Sequence, residues 1–166
     1  MGREKGYLKV EMLENAMTYE LLEHEADIGV KGIGATLEEA FQEGAMAMFS
    51  VMVDLEKVGT TESVDVHCEA DSIEMLFVEF LNRLLADMSI SEMVFAKFEV
   101  KITKGTQELG GTGAPIEKYT LTGKAFGETI NQEKHQTKTE AKGATLHGLK
   151  YEFEDEKHQI QCVVDV

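Results

Sequence analysis

Two acidic segments, far apart in the chain, carry the residue types best suited to chemistry: His24-Glu25-Ala26-Asp27-Ile28-Gly29 and the ending Val163-Val164-Asp165-Val166. Asp27, Asp165 and the terminal carboxylate of Val166 would form one oxygen-rich site if these segments were neighbours in the fold, with His24 close by. Carboxyl groups ionise well below neutral pH, so three gathered together repel unless a cation lies among them. Oxygen donors suit hard cations, Mg²⁺ or Ca²⁺ and also Mn²⁺; one histidine without a thiolate is a poor start for zinc. From composition alone these acids read as separate solvated charges, because a chain with 31 acidic residues holds many accidental pairs.

A second polar group lies in Lys142-Gly143-Ala144-Thr145-Leu146-His147. Read as a strand, it would present Lys142, Thr145 and His147 to one surface, where His147 could bond a partner or share the carboxylate site; a plain surface strand fits the pattern equally. His67, His135 and His158 read as ordinary surface groups. No Ser/His/Asp arrangement, zinc helix or Cys/His constellation emerges from the spacing. The stretch Leu109-Gly110-Gly111-Thr112-Gly113-Ala114-Pro115 lacks the Gly-Lys-Ser/Thr ending of a phosphate loop and reads as a hairpin connection. Cys68 and Cys162 lack the paired spacing of a metal or redox motif and read as buried thiols.

Those residues need elements to place them. Tyr19 to Leu22 and Ile28 to Ile33 read as strands, the second broken by Gly29 and Gly32. Thr36 followed by Glu39 forms a capping box, and Leu37, Phe41, Met48 and Met52 recur at helical spacing to about Val53. Val64, Val66 and Cys68 alternate as a strand. Asp71 with Glu74 suggests another capping box, opening a helix from Ser72 to about Met88 with a wide apolar stripe. Val94 to Thr103, Tyr119 to Gly127, Thr145 to Phe153 and Gln159 to Asp165 read as strands from their β-branched and aromatic content. Asp165 falls on the strand face opposite Ile160, Cys162 and Val164. The expected fold is α+β, a single domain with two amphipathic helices packed on a mainly antiparallel or mixed sheet. Residues 1–16 are charged with scattered apolar side chains and read as a flexible extension ahead of a domain over 17–166.

Composition narrows the partners. A chain of 166 residues can bury roughly 70% of its unfolded surface, so it needs no disulfide or metal merely to stay compact. With 31 acidic against 16 basic residues and a net charge of −15, a nucleic-acid backbone would be repelled, and no basic cluster offsets this. Strong direct nucleic-acid binding is therefore not expected; docking onto the basic face of a protein that handles RNA or nucleotides is. No apolar run approaches the roughly 20 residues of a membrane span, and no basic-then-apolar leader opens the chain, so a cytoplasmic location is expected. The oligomeric state is left open.

In their order along the chain, Tyr19-Glu20-Leu21-Leu22-Glu23-His24-Glu25-Ala26-Asp27-Ile28-Gly29, the turn into Thr36-Leu37-Glu38-Glu39-Ala40-Phe41, Leu121 to Glu128 with His135 after it, Lys142 to His147, and the Asp165-Val166 ending resemble the archease family over Met17 to Val166. The resemblance implies a small cytoplasmic activator, not itself an enzyme, of the GTP-dependent RNA ligase that joins tRNA exon halves and repairs broken RNA. It implies promotion of guanylylation of that ligase's histidine and support of multiple turnover. It also implies a divalent-metal site at Asp27, Asp165 and the Val166 carboxylate, with His24 near and a Lys-Ala-Thr-type motif at Lys142, Ala144 and Thr145. Gly143 separates lysine from alanine here, and Glu25 stands where family members more often have threonine. A metal-dependent phosphohydrolase and a general chaperone-like modulator remain the alternatives.

Overall fold

The computed structural model describes residues 7–11, 17–24, 27–108, 111 and 113–166. Strands β1 (Tyr7–Glu11), β2 (Thr18–His24) and β3 (Asp27–Gly34) lead into helix α1 (Leu37–Met52). Strand β4 (Glu62–Ala70), helix α2 (Ile73–Ser91), β5 (Met93–Gln107) and β6 (Ile116–Thr129) follow. The chain closes with the short helix α3 (Gln132–His135) and strands β7 (Gly143–Ala144), β8 (Lys150–Glu154) and β9 (Lys157–Asp165). Of the extension expected over 1–16, Tyr7–Glu11 pairs antiparallel with β2; residues 1–6 and 12–16 lie outside the described residues.

The α+β, antiparallel expectation holds, and the strands divide between two sheets. One runs β1-β2-β3-β9-β7, with β8 also on β9; the other runs β4-β6-β5, and every pairing is antiparallel. Helix α1 packs against β3 and β9 of the first sheet and β5 of the second, while α2 packs against β4 and β6 on one side and β7 on the other. The helices thus lie between the sheets. Phe41, Phe77 and Phe80 meet there, with Phe41 and Phe77 ring centroids 5.2 Å apart, and Phe49 joins Phe95 and Phe98 at 5.6 and 5.7 Å. Burying each ring stabilises the fold by about 1.5–3 kcal/mol, so this aromatic seam is a principal tie between the layers. No helix among the described residues is long and apolar enough to cross a membrane.

Local chemistry explains the helix boundaries. At α1 the capping box is formed: the Glu39 amide donates to Thr36 Oγ1 at 3.1 Å, and the Glu39 carboxylate accepts from the Thr36 and Ala35 amides. At α2 the expected Asp71–Glu74 box gives way to a Ser72 cap, whose Oγ accepts from the Met75 amide at 3.1 Å. Both Asp71 and Ser72 are good capping types, and the packing of the apolar stripe decides between them. Glycine is required where α1 crosses β3: a Cβ on Gly32 would sit 1.9 Å from the Ala40 carbonyl oxygen and 2.4 Å from the Gly44 nitrogen. The helix can therefore lie directly on the sheet backbone. The open edge of β5 is closed by the same helix, since Gln42 and Glu38 accept from the Val100 and Ile102 amides, which blunts an edge that could otherwise recruit another strand.

The expected strand from Thr145 to Phe153 is broken into β7 and β8. Thr145 and Gly148 account for the break: the Thr145 hydroxyl accepts from the His147 amide at 3.2 Å, and Gly148 takes a left-handed φ of 61°. The glycine-rich segment after Gln107 connects β5 to β6, with Gln107 paired to Ile116, as a hairpin should; residues 109, 110 and 112 lie outside the described residues.

A candidate carboxylate site across two paired strands

The two acidic segments are cross-strand neighbours. Strand β3 pairs with β9 in a register that places Asp27 directly opposite Asp165, and Ile28 opposite Val164. Directly opposed residues share a sheet face, with Cβ atoms about 4.5–5.5 Å apart. That face is the outer one, because the alternate positions Val30, Ile160, Cys162 and Val164 are all buried against the helices. Asp27 is half-buried and Asp165 exposed.

The pairing extends to either side. His24, at the end of β2, occupies the position opposite Asp27, and Gly143 of β7 lies opposite Asp165 on the far flank. One row of the sheet therefore runs His24, Asp27, Asp165, Gly143. Glu25 and Ala26, which join β2 to β3, lie outside the described residues. Val166 follows Asp165 just beyond the end of β9 and is half-buried.

Lys142, Thr145 and His147 hold this end of β9 through their backbones more than through their side chains. The Lys142 amide donates to the Asp165 carbonyl at 2.8 Å, and its side chain is exposed. The Thr145 amide and hydroxyl both donate to the Val163 carbonyl, each at 2.9 Å, and the Val163 amide donates to the His147 carbonyl at 3.0 Å. The segment forms a clasp along the last residues of β9. Gly143 adds no side chain to the row, and a Cβ there would come within 3.6 Å of Asn82 Oδ1.

Two residues that composition did not single out support the arrangement. Asn82 of α2 bonds both backbone groups of Ala144: its carboxamide nitrogen donates to the Ala144 carbonyl at 3.1 Å, and its oxygen accepts from the Ala144 amide at 2.8 Å. The available signal was a lone amide in a helical apolar stripe, between Leu81 and Leu84. His135, expected at the surface, is fully buried. Its Nδ1 accepts from the Asn131 amide at 2.9 Å, so the proton belongs on Nε2, which lies 2.9 Å from Glu128 Oε2. Glu128 also accepts from Lys134 at 2.8 Å and from the Gly59 amide at 2.6 Å. These bonds, Lys134 first, pull its carboxyl down to about 2. Around His135 the loop is tied back to α1, with the Asp54 amide on the His135 carbonyl and the Lys138 amide on the Met52 carbonyl, and from there the chain runs on to Lys142.

The remaining candidates are ordinary. His67 is exposed beside Glu69 at 3.5 Å, while His158, expected at the surface, is half-buried in β9 with its Nδ1 2.6 Å from the Tyr151 hydroxyl. Both cysteines are free; burial pushes each thiol up to about 12, so neither is a nucleophile at neutral pH.

Among the described residues, no three His, Cys, Asp or Glu side chains gather closely enough to hold a metal ion. The oxygen groups this row offers are the side-chain carboxylates of Asp27 and Asp165, with Val166 the next residue after β9. An all-oxygen set of that kind fits a hard, partly hydrated cation better than zinc.

The archease protein family model matches residues 19–166. The protein archease of Pyrococcus furiosus is 40% identical over 149 residues, covering 89% of this chain and 98% of that protein. That of Sulfolobus acidocaldarius is 32% identical over 148 residues, covering 89% and 98%. Among solved structures, the solution structure of Methanobacterium thermoautotrophicum protein 1598 superposes with a TM-score of 0.70 at 27% identity, covering 89% of this chain and 98% of that one.

Proposed function

The chain belongs to the archease family, and from that premise we propose that it is a non-catalytic activator of a GTP-dependent RNA ligase of tRNA splicing and RNA repair. In this reading it promotes guanylylation of the ligase histidine and sustains multiple turnover. The observation that carries the proposal is the register of β3 on β9, which sets Asp27 opposite Asp165 on the outer sheet face, with Val166 next in the chain. Two like charges directly opposed across strands are destabilising on their own, so their placement is better explained by a ligand than by the fold.

Asp27, Asp165 and the Val166 carboxylate would hold a divalent cation there, Ca²⁺ or Mg²⁺, with Mn²⁺ a further candidate. Such a cation supplies charge compensation to phosphate oxygens. The protein's own part is to present these oxygens at the end of a sheet whose Gly143 flank contributes no side chain of its own to the row. A net charge of −15 favours rapid encounter with a basic enzyme over binding of RNA itself.

Guanylylation of a purified cognate ligase, followed with GTP and metal in the presence and absence of this protein, tests the proposal. Stimulation by the wild-type chain and its loss in Asp27→Ala and Asp165→Ala, with both variants folded, are expected. Unchanged ligase rates would overturn the activator reading, and full stimulation by both variants would overturn the role of the carboxylates. GTP or phosphoester turnover by the isolated protein would replace it with the hydrolase reading.

A further inference from the structure

The carboxylate row ends on a strand of only two residues. Gly143 and Ala144 form β7, opposite Asp165 and Val164, and among the described residues no strand follows on β7's other edge. An edge strand this short has little to hold it, since its far-side amide and carbonyl would face away from the ladder. Here they do not go unmet. The carboxamide of Asn82 offers one acceptor and one donor side by side, as a peptide group does, and takes both the Ala144 amide at 2.8 Å and the Ala144 carbonyl at 3.1 Å. A single side chain thus does what a further strand would do.

Asn82 is well placed to be rigid. It lies in the middle of α2, whose neighbouring residues Leu81, Leu84 and Leu85 are in the core, and it is half-buried itself. Ala144 points into the same core at 9% exposure. The path from the helix to the acids is short: Asn82 fixes Ala144, two residues earlier the Lys142 amide donates to the Asp165 carbonyl at 2.8 Å, and Asp165 faces Asp27. On the opposite flank β9 is held by the whole of β3. On this flank its last residues depend on the segment that Asn82 anchors.

We propose that Asn82 is a positioning residue for the carboxylate site: it locks the β7 edge to α2 and so fixes Asp165 and the Val166 terminus relative to Asp27. The cation-binding part of this inference rests on the function proposed above, whereas the locking of the β9 end does not. Both Asn82 hydrogen bonds go to Ala144, so its effect on the acids passes through β7.

The test separates the two parts. In Asn82→Ala, which keeps a strong helix former in α2, amide hydrogen exchange is measured residue by residue beside the melting temperature. Loss of two bonds to β7 should raise exchange at the Lys142 amide by about tenfold or more, while the amides of the α2 interior keep theirs. Asn82→Asp retains the acceptor for the Ala144 amide but not the donor for its carbonyl, and should fall between the wild type and Asn82→Ala. Calcium titration of the same proteins, read by calorimetry, should show affinity weakened about 10- to 100-fold in Asn82→Ala, the range typical of residues that orient metal ligands from behind. Unchanged exchange at Lys142 in a folded Asn82→Ala overturns the positioning role. Increased exchange with no calcium binding in any protein, wild type included, upholds the lock on the β9 end and overturns the cation reading instead. Exchange that rises uniformly through α2 and the sheets would show Asn82 to be a general stability residue, and would also overturn the proposal.

Discussion

Glu43 offers a quantitative check on the packing of α1. It is one of few buried charged residues, at 4% exposure, and its Oε1 has no hydrogen-bond partner among the described residues. Burial, reinforced by the charge of Glu39 one turn earlier, lifts its carboxyl from the ordinary 4.5 to about 7. Between those two values the folded protein holds a proton that the unfolded chain has released, so raising the pH through this window costs stability. The rise from 4.5 to about 7, at about 1.4 kcal/mol per pH unit, sets an upper bound of about 3.5 kcal/mol, which residual solvent screening reduces to about 3 kcal/mol; this penalty is absent below pH 4.5 and complete above pH 7. Glu43→Gln removes the titration while keeping the shape. Its buried amide imposes a cost that does not change with pH, so the informative quantity is the difference in unfolding free energy between variant and wild type as a function of pH. Urea denaturation at intervals from pH 4.5 to 8.5 should show that difference moving in the variant's favour by about 3 kcal/mol. A difference that stays flat across the window would mean that Glu43 is solvated and that α1 does not seat on β3 as described.

The remaining predictions concern the same scaffold. Gly32→Ala would drive a methyl group into the backbone of Ala40 and Gly44, at 1.9 and 2.4 Å; neither can yield as a side chain would, so a loss of about 3 kcal/mol or more is expected in denaturant melts, and near-wild-type stability would refute the close approach. Glu128, held down to about 2 by Lys134, Gly59 and His135, contributes stability that is fully present above the unfolded carboxyl range near 4.5 and is lost as pH falls through about 2. Glu128→Gln should therefore destabilise at pH 7 and converge on the wild type by pH 2; an equal deficit at both pH values would argue against the charged network around His135.

How much of this was legible in the sequence depends on the range of each interaction. The Thr36–Glu39 cap and the helix after it are contained within a few residues, and they formed as expected. The alternation of Ile160, Cys162 and Val164 placed Asp165 on the outer face, because a strand's period of two is also local. The register that sets Asp27 against Asp165 spans 138 positions of chain, and alternation alone says which face a residue takes, not which partner it meets. The burial of His135 is hidden from the sequence for a related reason. Its neighbours are polar, which reads as surface, yet both ring nitrogens are satisfied by an amide four residues before it and a carboxylate seven residues before it; a histidine whose two nitrogens are matched is as buriable as an apolar ring.

Asn82 shows where sequence pattern and site diverge most. In a helical stripe of leucines a single amide looks like a tolerated irregularity, and nothing near it in sequence reveals that Ala144, 62 positions away, presents a bare strand edge to it. The residues that could do chemistry announce themselves by charge; the groups that fix their geometry are neutral and act through backbone atoms. The acid pair depends on both flanks of β9. The β3 flank is a full ladder of backbone bonds and can absorb a single substitution, whereas at the end of β9 the other flank is the two-residue β7 and the short clasp around it, whose outer edge is met by one side chain. The weaker flank is therefore the one through which a distant substitution should reach the carboxylates, and it is reached from inside α2 without altering either acid.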